Sequence, residues 1–229
     1  LKYRLTGESV HKNIKHLVID EMQDYSYLQY VILSRLFHCR MTILGDRAQT
    51  LDKEQRDVLL FLPKILGKDI RMVVMNKSYR NTWEIATFAA GISGISDIEL
   101  LERHGKAVEE RRFPTEDEML SAIRENLNVG ADGYETAAVI TMTEEEASDI
   151  CRLLQNRGVE ASYMDRNSSA FRKGLTVTTF YLAKGLEFDQ VFAIQGSEEN
   201  PLKKQAEYIC ATRALHELYV YGTGNQAGR

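Results

Sequence analysis

The chain has little of what builds metal or disulfide sites. It carries 3 cysteines in 229 residues, Cys39, Cys151 and Cys210, far apart and with no CxxC pair. That spacing gives a zinc site or a disulfide framework little support and reads as free thiols buried in a reducing compartment. The five histidines, His11, His16, His38, His104 and His216, show no ligand spacing either and read as surface or packing residues. There is no excess of positive charge, with 29 Lys and Arg against 33 Asp and Glu and a net charge of −4. A basic nucleic-acid footprint over the whole chain is therefore excluded, although a local basic groove is not. There is no secretory leader and no apolar run of membrane length, so the expectation is a cytoplasmic chain without a membrane partner. Finally, no GxxxxGK[ST] occurs: Gly67-Lys68 is followed by Asp69. The loop that cradles a nucleotide's phosphates, and its lysine, is absent from this sequence.

What is present suits a packed protein. Hydrophobic residues make up 44% and charged residues 27%, enough for one large domain or two small ones. The most informative run is Leu17-Val-Ile-Asp20-Glu21-Met-Gln23-Asp24. A short β-branched stretch stops on two carboxylates, as a buried parallel strand does when its tip carries chemistry. Acids at such a tip sit where open α/β sheets bind ligands. Nucleotide hydrolysis uses one carboxylate to hold Mg²⁺ and a neighbour to orient or deprotonate the attacking water.

Strand-like runs at 16–20, 41–45 and 71–75 alternate with helical stretches at 26–37 and 53–66. This βαβ pattern implies a parallel sheet, and three strands make a thin one. The second half alternates again. Thr115 with Glu118, and Thr143 with Glu146, are capping boxes. Gly158 ends the helix opened by Thr143. Strands are expected at 137–141, 159–164, 175–180, 190–195 and 218–222, and Asn200-Pro201 opens a helix. A boundary falls near 75–82.

Four further segments stand out. Gly45-Asp46-Arg47-Ala48-Gln49 follows the second strand, its glycine allowing a tight turn and Gln49 offering an amide to a phosphate or water. In Ser78-Tyr79-Arg80-Asn81-Thr82, Asn81 or Thr82 can cap the helix that follows, and the Arg80 fork can reach a phosphate. Trp83 falls on the apolar stripe of that helix and reads as core. Tyr181-Leu-Ala-Lys184-Gly185-Leu-Glu187-Phe188 lies between two strands, and Thr212-Arg213-Ala214 closes the last helix. Glu144-Glu145-Glu146 is first-turn acid set against the helix dipole.

Together these segments resemble, in order, the second to sixth motifs of the UvrD/Rep-type superfamily 1 DNA helicases. The matching residues are Asp-Glu-Met-Gln-Asp at 20–24, Gly-Asp-x-x-Gln at 45–49, Ser-Tyr-Arg-x-Thr at 78–82, Lys-Gly-Leu-Glu-Phe at 184–188 and Thr-Arg-Ala at 212–214. The resemblance implies an α/β protein of RecA-like P-loop NTPase folds. Residues 1–77 would be a partial first motor domain lacking the phosphate-binding loop, and 78–229 a complete second one, with ATP held in the cleft between such domains. It implies that Asp20 ligates Mg²⁺ and Glu21 is the catalytic base. Gln23 and Gln49 would sense the γ-phosphate, and Tyr79 would stack on adenine. Arg80 and Arg213 would act as arginine fingers. Gly185 would allow close backbone approach and Glu187 would meet the ribose or terminal phosphate. DNA is the implied partner.

The sequence also departs from that family. Without a phosphate loop, this stretch reads as a carboxy-terminal piece of a longer enzyme, inactive alone. Thr-Leu-Asp-Lys-Glu after Gln49 lacks the aromatics that stack on single-stranded DNA. Tyr181 stands where relatives have His. Only about ten residues, Asp165 to Gly174, occupy the place of a large accessory insertion. These departures favour a subgroup: Tyr-Leu-Ala-Lys-Gly-Leu-Glu-Phe-Asp at 181–189 and Ala-Thr-Arg-Ala-Leu-His-Glu-Leu at 211–218 resemble the HelD-type proteins, ATPases that bind bacterial RNA polymerase and help release it from nucleic acid, which makes RNA polymerase the alternative partner.

Overall fold

A computed structural model describes residues 11, 13–49, 58–67, 70–75, 77–94, 99–168, 173–196 and 200–224. The chain divides into two compact units, Leu1–Met75 and Asn76–Arg229.

In the first unit, β1 (His16–Ile19) pairs in parallel with β2 (Arg40–Ile43), Ile19 facing Ile43 across the register. The helix between them, α1 (Tyr27–Leu36), starts where expected because Ser26 and Gln29 form a reciprocal capping box. α2 (Val58–Leu66) is the described part of the helix expected over 53–66; residues 53–57 lie outside the described set. Ile19, Tyr30, Val58 and Leu62 form the small core. Burial pushes the Tyr30 hydroxyl up to about 12, and that hydroxyl donates to Met22 O at 2.9 Å.

The run 71–75 is a correction. It has strand composition but forms no strand, and Val73, Val74 and Met75 are 70, 74 and 86% exposed. A strand needs at least one backbone edge to pair with and cover for its apolar side chains; no described strand of this unit pairs with this run.

The second unit opens with β3 (Lys77–Ser78), α3 (Trp83–Ser93) and β4 (Glu99–Leu100), then β5 (Glu109–Phe113) and α4 (Glu116–Asn126). It continues through β6 (Thr136–Thr141), α5 (Glu144–Asn156), β7 (Ala161–Tyr163) and β8 (Gly174–Thr179). β9 (Phe188–Ile194), α6 (Lys203–Arg213) and β10 (Ala214–Thr223) complete it. Six strands form one all-parallel sheet in the order β5-β10-β9-β6-β8-β7. This is the α/β class and parallel sheet that a RecA-like domain requires.

Both faces of the sheet are covered, which explains the continuous apolar runs at 137–140 in β6, 191–194 in β9 and 218–221 in β10. Phe192, Tyr219 and Tyr221 pack with Met119 and Ile123 of α4 and Ile150 and Leu154 of α5. Ala193, Leu218 and Val220 line the opposite face with Phe88 of α3 and Ala206 and Cys210 of α6. The capping box at Thr143 and Glu146 is complete. At Thr115 only half of it forms: Glu118 N donates to the hydroxyl, while the Glu118 carboxylate accepts a hydrogen bond from that hydroxyl instead of from the Thr115 backbone N–H. Gly158 follows α5 with φ 77°, the left-handed conformation of a glycine just past a helix end. α6 starts two residues beyond Pro201, after a turn in which Asn200 Oδ1 accepts from Leu202 N at 2.9 Å. No described helix is long and apolar enough to cross a membrane.

Candidate functional site

In the first unit, the sheet ends where the carboxylates begin. β1 stops at Ile19, and Leu44 N donates to Ile19 O at 2.8 Å. Asp20 is exposed and Glu21 half-buried. Asp20 Oδ1 accepts the Glu21 backbone N–H at 2.8 Å. Glu21 sits at φ 52° and ψ 51°, the one described residue other than glycine in the left-handed region. Such a conformation costs about 1–2 kcal/mol and persists only where the surroundings enforce it.

The enforcement is visible. Met22 N donates to Leu44 O at 2.8 Å, tying the next residue to the end of β2. Gln23, itself buried, donates Nε2 to Glu21 Oε2 at 2.5 Å and accepts the Asp46 N–H on Oε1 at 3.1 Å. Asp46 in turn accepts from Ala48 N and from Gln49 Nε2, each at 2.9 Å. One chain of hydrogen bonds thus runs Glu21–Gln23–Asp46–Gln49 and joins the two strand tips.

Gly45 makes this possible by its size rather than by a turn conformation. A Cβ there would lie 2.3 Å from Met22 Cγ and 2.5 Å from Gln23 Oε1. Gln49 is buried with its amide nitrogen on Asp46, so the structure shows it as a buried link of this chain. An exposed carboxylate at a strand tip, beside a second one oriented by an amide, suits a hard cation that keeps waters and shares phosphate oxygens. Among the described residues, no three or more Asp, Glu, His or Cys side chains are grouped so as to hold a metal ion by themselves.

The second unit brings three of the sequence motifs together. Arg80 Nε lies 2.7 Å from Glu187 Oε1, both side chains about half-exposed. Arg213 Nη1 donates to Leu186 O at 3.3 Å, and its Nη2 to Thr212 Oγ1 at 3.2 Å. Two guanidinium groups separated by more than a hundred residues therefore meet consecutive residues of one loop. That loop is a tight turn off β8, in which Ala183 N and Leu182 N both donate to Thr179 O. Gly185 adopts φ 81° there, and a Cβ on it would meet open space. The left-handed backbone at this position favours glycine. Tyr79 is exposed at the entrance to this segment.

Arg213 corrects the usual expectation for an arginine on a helix: it is 2% exposed, the largest fully buried side chain described. The capping expectation at 81–82 is also corrected. Neither side chain caps α3. The first helical N–H, that of Trp83, donates to Arg103 O at 2.8 Å, and Asn81 Nδ2 reaches Ala214 O at 2.6 Å instead. Trp83 is not core; it is 41% exposed with its ring 5.6 Å from that of His104.

Glu84 receives His104 Nδ1 at 2.9 Å and Gly105 N at 2.8 Å. The His104 hydrogen bond first, and the Gly105 amide next, lower its carboxyl to about 2. Tyr181 donates its hydroxyl to Glu144 Oε1 at 2.6 Å. Arg166 pairs with the same oxygen at 3.0 Å and lies 5.5 Å over the Tyr181 ring. The acidic first turn of α5 thus serves as an anchor as well as a dipole partner. Arg103 and the side-chain role of Asn81 had no signal in the sequence, because neither spacing nor periodicity marks a residue whose partners are distant carbonyls.

The second unit is thus a doubly wound α/β domain with polar motifs converging on loops beside its sheet. No family model and no curated protein matches the chain. Among solved structures it is similar to the C-terminal domain of a possible DNA helicase from Lactobacillus plantarum WCFS1, with a TM-score of 0.49 and 24% identity over 65% of this chain and 89% of that one. It is also similar to the Arterivirus nonstructural protein 10 helicase in complex with DNA, with a TM-score of 0.36 and 17% identity over 53% of this chain and 29% of that one. Likenesses of this size do not bear on chemistry; the fold class rests on the sheet itself.

Proposed function

We propose that the chain is the carboxy-terminal motor region of a longer ATP-dependent superfamily 1 DNA helicase or translocase. The observation that carries this reading is the gathering of Arg80, Glu187 and Arg213 on one loop of the second unit. Phosphoryl transfer is catalysed almost wholly by positioning and charge, and a finger arginine is worth about 10³–10⁵ in rate. Two arginines fixed on a turn beside a parallel sheet are the means to supply that charge.

In this reading Glu21 takes the proton of the attacking water. Gln23 holds the Glu21 carboxylate in orientation, and the bonds through Asp46 carry that orientation to Gln49. Asp20 would hold Mg²⁺, which neutralises phosphate charge when bound. Tyr79 offers an exposed ring to adenine, and Glu187 offers a carboxylate to the ribose or terminal phosphate edge. Arg80, half-exposed, meets the charge that develops on the transferred phosphoryl group, and Arg213, buried on Leu186 O and Thr212 Oγ1, adds its positive field there.

A second reading is a HelD-type ATPase that acts on RNA polymerase with little unwinding. It is favoured by the short connection between β7 and β8, which pair directly, and by Tyr181 with its Glu144 and Arg166 partners. The test is ATP turnover of the full-length protein, with single-stranded DNA and separately with RNA polymerase. Stimulation by DNA supports the translocase, stimulation by the polymerase alone supports the second reading, and no ATP turnover under either condition ends both.

A further inference from the structure

Arg103 belongs to none of the motifs, yet it ties two of them together. Its Nη2 donates to Arg80 O at 2.6 Å and to Leu215 O at 2.8 Å. One nitrogen thereby fastens the backbone that carries Arg80 to the backbone just past Arg213. Asn81 stitches the same seam a few residues away, its Nδ2 on Ala214 O at 2.6 Å and 3.5 Å from Thr212 O. The segment holding Arg103 is itself fixed against 80–84. Arg103 O caps Trp83 N, Glu84 receives His104 and Gly105, and Gly105 lies so close to Thr82 that a Cβ would stand 2.6 Å from Thr82 Cγ2.

We propose that Arg103 is a positioning residue that sets the spacing between the Arg80 and Arg213 guanidinium groups. The proposal rests on the ATPase reading above. The helix-capping bond comes from the Arg103 backbone, so removing its side chain leaves α3 capped and isolates the seam. Arginine suits the task because its charged fork donates strongly to carbonyls and cannot lose its proton. In the ATPase reading the charges of both arginines act on one phosphoryl group, and a displacement near 1 Å in such a constellation costs about 100-fold in rate.

The test uses the full-length protein with Arg103→Ala and Arg103→Lys. The alanine variant is expected to lower kcat for ATP by about 10–100-fold while KM moves by less than about threefold, because the loss is felt in the transition state. The lysine variant recovers part of the rate. In parallel, the Arg80 Nε–H signal in a ¹⁵N spectrum is expected to shift in Arg103→Ala and to return toward its wild-type position in Arg103→Lys. Should the alanine variant fail to fold, Arg103→Gln, which can keep one of the two bonds, replaces it with the same expectations. Unchanged kcat together with an unmoved Arg80 signal overturns the proposal, as does a loss confined to KM. The spectral arm needs no turnover, so it decides the proposal even if the wild type hydrolyses nothing, a result that ends only the functional reading.

Discussion

Arg80 and Glu187 lie 107 positions apart in the chain and meet at 2.7 Å, Nε to Oε1. The pair joins the 78–82 segment to the loop after β8, and the loop in turn receives Arg213 on Leu186 O. Both partners are about half-exposed, so water and salt screen the attraction. Glu187→Gln is therefore expected to change unfolding free energy by less than about 1 kcal/mol. Urea titrations at low and high salt check this: the small difference from wild type shrinks as salt rises. A loss that persists at high salt would mark the pair as structural.

Arg213 behaves differently because it is buried. Arg213→Ala removes a charged side chain that donates to Leu186 O and Thr212 Oγ1 and leaves a cavity between α6 and the loop. The expected cost is about 2–4 kcal/mol, combining lost charge-assisted hydrogen bonds with lost packing. Urea unfolding of the chain measures it. Activity losses in this variant must be read beside that cost, and Arg213→Lys, which keeps the charge, separates the two.

Gly45→Ala tests the close approach of the two strand tips. Its Cβ would collide with Met22 Cγ at 2.3 Å, Gln23 Oε1 at 2.5 Å and Met22 N at 2.8 Å. One of these is backbone, so the tips must part. Overpacking of this kind costs about 1–3 kcal/mol. Thermal unfolding of the first unit reports it, and hydrogen exchange at Asp46 N, the donor to Gln23, reports where the strain falls.

How much of this was legible beforehand depends on where each residue finds its partner. The carboxylates at the end of β1, the Ser26 and Thr143 helix starts and the central strands follow from local pattern, because their partners lie within a few residues or in any packed core. β5 was missed: Glu109-Glu-Arg-Arg-Phe113 has no apolar alternation and becomes a strand only because the edge of β10 accepts it in register, Val220 against Glu110. The converse holds at 71–75, where apolar residues that include two valines pair with neither described strand of the unit. At 81–82 the residue types for a cap were present, but Asn81 makes its bond to Ala214 across 133 positions. Trp83 sat on an apolar period, and the nearby His104 ring rather than the core receives it. Local chemistry set the elements and long-range carbonyls set the site.

The Glu84 carboxyl gives a pH test of the 103–105 segment. Its value is lowered from 4.5 to about 2 in the folded protein, by the His104 hydrogen bond first and the Gly105 amide second. A lowered folded value means the contribution is complete above about 4.5 and is lost as pH falls through about 2. The Gly105 amide resonance is therefore expected to show an acid titration step with a midpoint near 2. A midpoint near 4.5 would show that the carboxylate is not held.

The most direct test of the central claim is ATP turnover by the full-length protein carrying Glu21→Gln. The substitution keeps the size of the side chain and removes its capacity to take a proton. The account predicts a fall in kcat of about 10²–10⁴-fold with nucleotide binding retained. Turnover equal to wild type would contradict it.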